Sequence, residues 1–213
     1  MSAFSCRFNI CSIFYQDKIL GCGYNAIIPF DNLFIKNTMN IFVTDPSPWH
    51  SARVLPDKHI VKMPLETCQM LAIVCSDKWG HGFGTLPRAD GTPYATKKGA
   101  FRNHPCTIWA NEFVTNWQWL LAHGLAMCDE YTARYGKVHT CQKTLLAAKE
   151  ILPTADPQGR SGKGPTPFVF AGPDEFKYDT SISIFDKYKM YISSKPWVCD
   201  NYLRIPDRKP DWV

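Results

Sequence analysis

The stretch between Pro105 and Gly136 constrains the fold more than any other part of the chain. Trp109, Phe113, Trp117, Leu120, Leu121 and Met127 or Cys128 recur along it at helical spacing. Asn103 is placed to cap such a helix, and Pro105 suits its first turn, where a missing N–H costs nothing. Gly136 marks the C-terminal stop near Tyr135, with Arg134 and Lys137 beside the negative end of the helix dipole. Gly124 is expected to break or bend the helix. The tryptophans read as core rather than as a ligand platform.

A second helix is expected from Asp57 to about residue 76. Asp57 is a candidate N-cap, Leu55 and Ile60 flank the start as a staple, and Pro64 inside the helix removes one backbone donor and predicts a kink. Shorter helices are expected over 140 to 151 and 180 to 194. Residues 46 to 56, with Pro46, Pro48 and Pro56, read as a loop, and residues 77 to 103 and 153 to 173 read as two long loops rich in glycine, proline and basic residues. SGKGPT in the second loop lacks the spacing of a phosphate-binding loop. Short strands are expected only at 40 to 44 and in the first 38 residues. The chain thus reads as mainly α: a compact helical domain with long loops and a short N-terminal strand-like segment.

Residues 1–38 lack helical periodicity, and MNIFVTD then opens an apolar run. We therefore expect 1–38 to be an extension or a misassigned start, and 39–213 to be a single helical domain. The rival reading makes 1–38 a strand-bearing arm. Across 213 residues, 45% hydrophobic content is enough for a core, and a net charge of +5 points mildly to an anionic partner. No apolar run is long enough to cross a membrane, and no signal-peptide layout is visible. The expected location is the cytoplasm. The nine cysteines, none in a CxxC pair, are expected to be reduced thiols. A mixed metal site of His59, Cys68, His104 and Cys106 is outweighed by the reading that these are buried core groups.

The stretch DKHIVKMPLETCQML carries the chemistry worth weighing. His59 and Glu66 are seven residues apart, so steps of about 100° return them to one face, with Lys62 between. Ile60, Val61, Leu65, Met70 and Leu71 take the opposite side. From spacing alone the plain reading is a solvated polar stripe: a Lys62–Glu66 surface pair contributing about 0.3–0.5 kcal/mol and an exposed His59. The sharper reading is a general acid or base carried on a rigid helix.

Asp57, His59 two further on, and Glu66 seven after the histidine resemble the first helix of the phage-type pyrimidine-dimer DNA glycosylase family. Two looser features agree: NHP at 103–105 ahead of an aromatic-rich helix, and the basic, aromatic ending RKPDWV. The chain also resembles small phage proteins that begin MNIF and carry DKHxVKM. The resemblance implies a DNA glycosylase with abasic-site lyase activity on damaged or modified pyrimidines, without a metal or other cofactor, acting on duplex DNA as a monomer. It implies an N-terminal α-amine as nucleophile, here that of Met39 or Asn40. Glu66 becomes the acid/base, and His59 orients the substrate or the glutamate. If the chain starts at Met1, Lys58 or Lys62 must supply the amine. Leu65 stands where the family has a phosphate-holding arginine, so DNA contacts are expected elsewhere: Lys58, Lys62, Lys97, Lys98, Arg102, His104, Arg208, Lys209 and Trp212, with Arg160, Lys163 and Arg204 as further cations.

Two other functions remain open at this stage. One is a non-catalytic phage nucleic-acid-binding or inhibitor protein that uses the same loops and tail. The other is a metal-dependent nuclease built on His59, Glu66 and His104.

Overall fold

The computed structural model describes residues 39–77, 86–96, 101–151 and 162–213. The readings of 1–38, and of Lys97, Lys98 and Arg160, fall outside these residues. Seven helices follow in order: α1 (Pro48–Arg53), α2 (Asp57–Asp77), α3 (Pro105–Glu112), α4 (Val114–Tyr135), α5 (Cys141–Ile151), α6 (Asp174–Lys177) and α7 (Ile184–Ser193). A 3-10 turn, Pro206–Arg208, lies near the end. Among the described residues there is no strand, only one isolated bridge between Pro87 and Pro93. The protein is mainly helical, as expected.

α2 lies against α3, α4 and α5, and α4 also packs on α1. Gly124 does not break α4. A Cβ there would lie 2.7 Å from Thr67 Cγ2 on α2 and 3.1 Å from Leu145 Cδ1 on α5. The glycine is where three helices meet most closely. The expected stop at Gly136 is present: its φ is +65°, and its N–H donates to the Thr132 carbonyl.

Several expectations are corrected. The single helix from 105 to 135 is two helices, because Phe113 is extended at φ −137°, ψ 152°. Asn116 exploits the break: its amide donates to the Trp109 carbonyl and to Thr166 Oγ1, each at 2.8 Å, and it accepts the Thr166 N–H at 2.8 Å. His104, not Asn103, caps α3, its Nδ1 accepting from the Cys106 N–H at 3.2 Å. Residues 48–53, read as loop, form α1. Ser47 caps it, and Pro48 sits at its start, where proline favours a helix.

The expected strand at 40–44 is instead a buried, unpaired segment. Asn40 Oδ1 accepts the N–H groups of Ile41 and Phe42, and Ser51 Oγ accepts that of Thr44. Side chains thus replace the missing sheet partner. Asp57 does not cap its own helix. Asn201 serves the start of α2, its carbonyl accepting from Asp57 N–H and its Oδ1 from Lys58 N–H. The second long loop turns inward through Phe168, whose ring lies 5.2 Å from Trp109 and 4.8 Å from Trp119.

Candidate active site

α2 continues through Pro64, and the face carrying His59 and Glu66 points inward. Both residues are buried, at 6% and 7% exposure, while Val61 and Leu65 are exposed. The expected wet stripe is therefore a buried face. The apolar count misled because other segments also need a surface to pack on, and Asn40, Phe42 and Trp197 cover the polar face of α2.

Glu66 is held from two directions. Its Oε2 accepts the main-chain N–H of Asn40 at 2.8 Å, and its Oε1 meets Lys62 Nζ at 3.1 Å. Asn40 is fixed in turn. Its side-chain amide donates to the Ala171 carbonyl at 2.7 Å, and Tyr188 of α7 holds that loop by donating to Val169 O and accepting from Ala171 N–H. Asn40 makes every one of these contacts from within a turn that places Phe42 at φ +42°, the one non-glycine residue with positive φ among those described. A bulky residue in that region stores strain, and such strain collects at functional sites.

The Phe42 ring stacks on His59 at 4.2 Å and on Tyr191 at 5.7 Å, and Trp197 meets His59 edge-on at 5.5 Å. Burial, then the charges of Lys195 and Lys62, lower the His59 pKa to about 3, so the imidazole is neutral at physiological pH. Its Nδ1 has no hydrogen-bond partner among the described residues. Lys195 Nζ lies 4.0 Å from the centre of the Tyr191 ring, and burial, then Lys62, lowers its pKa. Lys58 Nζ lies 4.5 Å over the Trp197 ring.

The structure thus gathers Asn40, His59, Lys62 and Glu66, with Lys58 on the neighbouring Trp197. Met39 is buried beside them, its sulfur taking the Thr107 hydroxyl at 3.5 Å. Arg102, His104, Arg208 and Trp212 are engaged in other contacts. Arg102 donates to the Thr96 carbonyl, His104 caps α3, and Arg208 pairs with Glu130 at 3.0 Å. Lys209 is exposed, and Trp212 packs on the core, its carbonyl taking the Ser193 hydroxyl. Sequence reasoning missed Phe42, Tyr191, Lys195 and Trp197. The KPW triplet after the last helix was the available signal, hidden within a tail that is basic and aromatic throughout. Among the described residues, no three of His, Cys, Asp and Glu are grouped to hold a metal ion, so neither His59, Glu66 and His104 nor the mixed cysteine set forms one.

The arrangement is a buried carboxylate held by a main-chain N–H, beside cations and stacked aromatic rings. Residues 39–143 match the family model of pyrimidine dimer DNA glycosylases, and over that stretch the chain is similar to this family. The match contains Asn40, His59, Lys62 and Glu66 and ends before Lys195. No curated protein and no solved structure matches the chain.

Proposed function

We propose that the protein is a DNA glycosylase with abasic-site lyase activity on damaged or modified pyrimidines, and that the nitrogen of Asn40 becomes its nucleophile once the chain begins there. The observation that carries this reading is the 2.8 Å contact between Asn40 N and Glu66 Oε2. In a chain that continues through Met39, that nitrogen is an amide whose lone pair is delocalised, and it cannot attack. As an α-amine its pKa falls near 8, well below that of lysine, leaving a useful neutral fraction at physiological pH.

The amine attacks C1′ of the damaged nucleotide, the C1′–N bond breaks, and the base leaves. Glu66 takes the proton released from the amine and faces the cationic imine that forms when the sugar opens. The same carboxylate can then accept the C2′ proton as the 3′ phosphate is expelled. Lys58, Lys62 and Lys195 supply positive charge for the strand, and Trp197 and Tyr191 supply faces for an unstacked base. With the 39–40 peptide bond intact, the Glu66 contact instead anchors a turn. The protein would then bind nucleic acid without cleaving it.

Borohydride trapping on an abasic-site duplex separates these readings. Protein beginning at Asn40, at Met39 and at Met1 would be compared. A covalent adduct is expected with the Asn40 form, and Glu66→Gln in that form is expected to lower strand cleavage about 100-fold or more while sparing binding. An adduct formed by the Met1 form and mapped to Lys58, Lys62 or Lys195 would move the nucleophile to a side chain. No adduct with any form, with DNA still bound, would leave the binding protein.

A further inference from the structure

On the other side of α2 from Asn40, two thiols meet. Cys141 is the first residue of α5, where the aligned N–H dipoles of the helix favour a negative charge. Its N–H donates to His139 Nδ1 at 3.1 Å, while His139 Nε2 bonds the Val61 carbonyl at 3.0 Å. Cys68 on α2 donates its S–H to the Cys141 carbonyl at 3.7 Å, which sets the two cysteines side by side. Cys141 lines a cavity of about 490 Å³ with Leu65, Gln69, Arg88, Tyr94 and Thr144. That volume admits a small oxidant, and the Arg88 guanidinium stands 5.4 Å from the Tyr94 ring.

The other buried cysteines behave differently. In Cys75, Cys106 and Cys128, burial pushes the thiol up to about 12. Cys141 moves the opposite way, lowered first by the neighbouring Cys68 thiol against the cost of burial. Cys68, as the donor, is held protonated.

We propose that Cys141 and Cys68 form a peroxide-reactive dithiol site that closes to a disulfide joining α5 to α2. The Cys141 thiolate attacks one oxygen of hydrogen peroxide. An S–O bond forms, the O–O bond breaks, and the departing hydroxide leaves as water. The sulfur is oxidised by two electrons to a sulfenic acid. Cys68 then attacks that sulfur, an S–S bond forms, the S–O bond breaks, and the Cys68 proton leaves with the hydroxide as a second water. One peroxide consumes two thiols and yields one disulfide and two waters. The site is independent of the glycosylase reading.

The test uses the full chain, reduced and then treated with one equivalent of hydrogen peroxide in the presence of chelator, alkylated with iodoacetamide and mapped by mass spectrometry. A Cys68–Cys141 linked peptide is expected. Before oxidation, Cys141 is expected to alkylate about tenfold faster at neutral pH than Cys75, Cys106 or Cys128. In Cys68→Ala, dimedone is expected to label Cys141 as the sulfenic acid. Oxidation of the exposed Cys199 alone, with Cys68 and Cys141 both recovered as free thiols, would overturn the proposal. The mapping on the unmodified chain decides it even if a variant fails to fold.

Discussion

His59 and His123 show how far a residue's role depends on what packs on it. Each is a titratable ring on a helix, and burial lowers each pKa to about 3. The unfolded chain binds their protons near pH 6.5 and the folded chain does not. Their contribution to stability is therefore full above pH 6.5 and falls as pH drops toward 3, by about 1.4 kcal/mol per pH unit for each histidine. Urea unfolding at pH 7.5 and at pH 5.0 should show this loss. His123 stacks on Trp119 at 4.8 Å and neither ring nitrogen has a hydrogen-bond partner among the described residues. Replacing an unsatisfied buried polar ring by an apolar one of similar shape removes a cost. His123→Phe is expected to stabilise the protein by about 1–2 kcal/mol and to flatten its pH dependence; a lower urea midpoint would contradict this. At this scale the sequence showed which polar residues share a helix face but not which are dry. The His59–Glu66 spacing was legible, and the burial of that face was not, because Asn40, Phe42 and Trp197, which cover it, come from other parts of the chain.

Among the elements, α4 was the most legible and also the most misread. Its apolar period runs unbroken across Phe113, so nothing in the pattern signals the junction with α3. The break is stabilised by Asn116, whose partners Trp109 O and Thr166 lie seven and fifty residues away. Asn116→Ala leaves buried polar groups unpaired and is expected to cost about 2–3 kcal/mol, read as a lower urea midpoint with unchanged slope. Gly124 carries the opposite lesson. By propensity alone, Gly124→Ala in mid-helix should stabilise by about 1 kcal/mol. Here the added methyl would meet Thr67 Cγ2 at 2.7 Å. Overpacking of this kind costs about 1–3 kcal/mol, so net destabilisation is expected, partly restored by Thr67→Ser, which removes the opposing methyl. A stabilised Gly124→Ala would show that α2 and α5 can yield.

The whole molecule is closed by charge. Arg134 has a fully buried side chain and pairs with Asp57 at 3.1 Å and Glu130 at 3.2 Å, while donating to the carbonyls of Leu55 and Arg53. Asp57 also accepts the N–H groups of Leu203 and Arg204, and Glu130 also pairs with Arg208. One network thus ties the start of α2, the end of α4 and the tail that follows Lys195. Asp57→Ala is expected to destabilise by about 3 kcal/mol, because it leaves Arg134 short of a partner and frees the tail. Its melting temperature should fall and protease sensitivity should rise after residue 200; cleavage confined to other segments would separate the tail from Asp57. The sequence by itself determined the helical class, the starts and stops marked by Pro105 and Gly136, and the pairing of His59 with Glu66 on one face, because these follow from local spacing and backbone chemistry. Only the tertiary structure decided that Asn40 N faces Glu66, that Lys195 and Trp197 stand at that site, and that Asp57 serves the tail rather than its own helix. Those contacts join residues from 26 to about 150 positions apart, and they arise when separate apolar faces are buried together, a choice that no local pattern encodes.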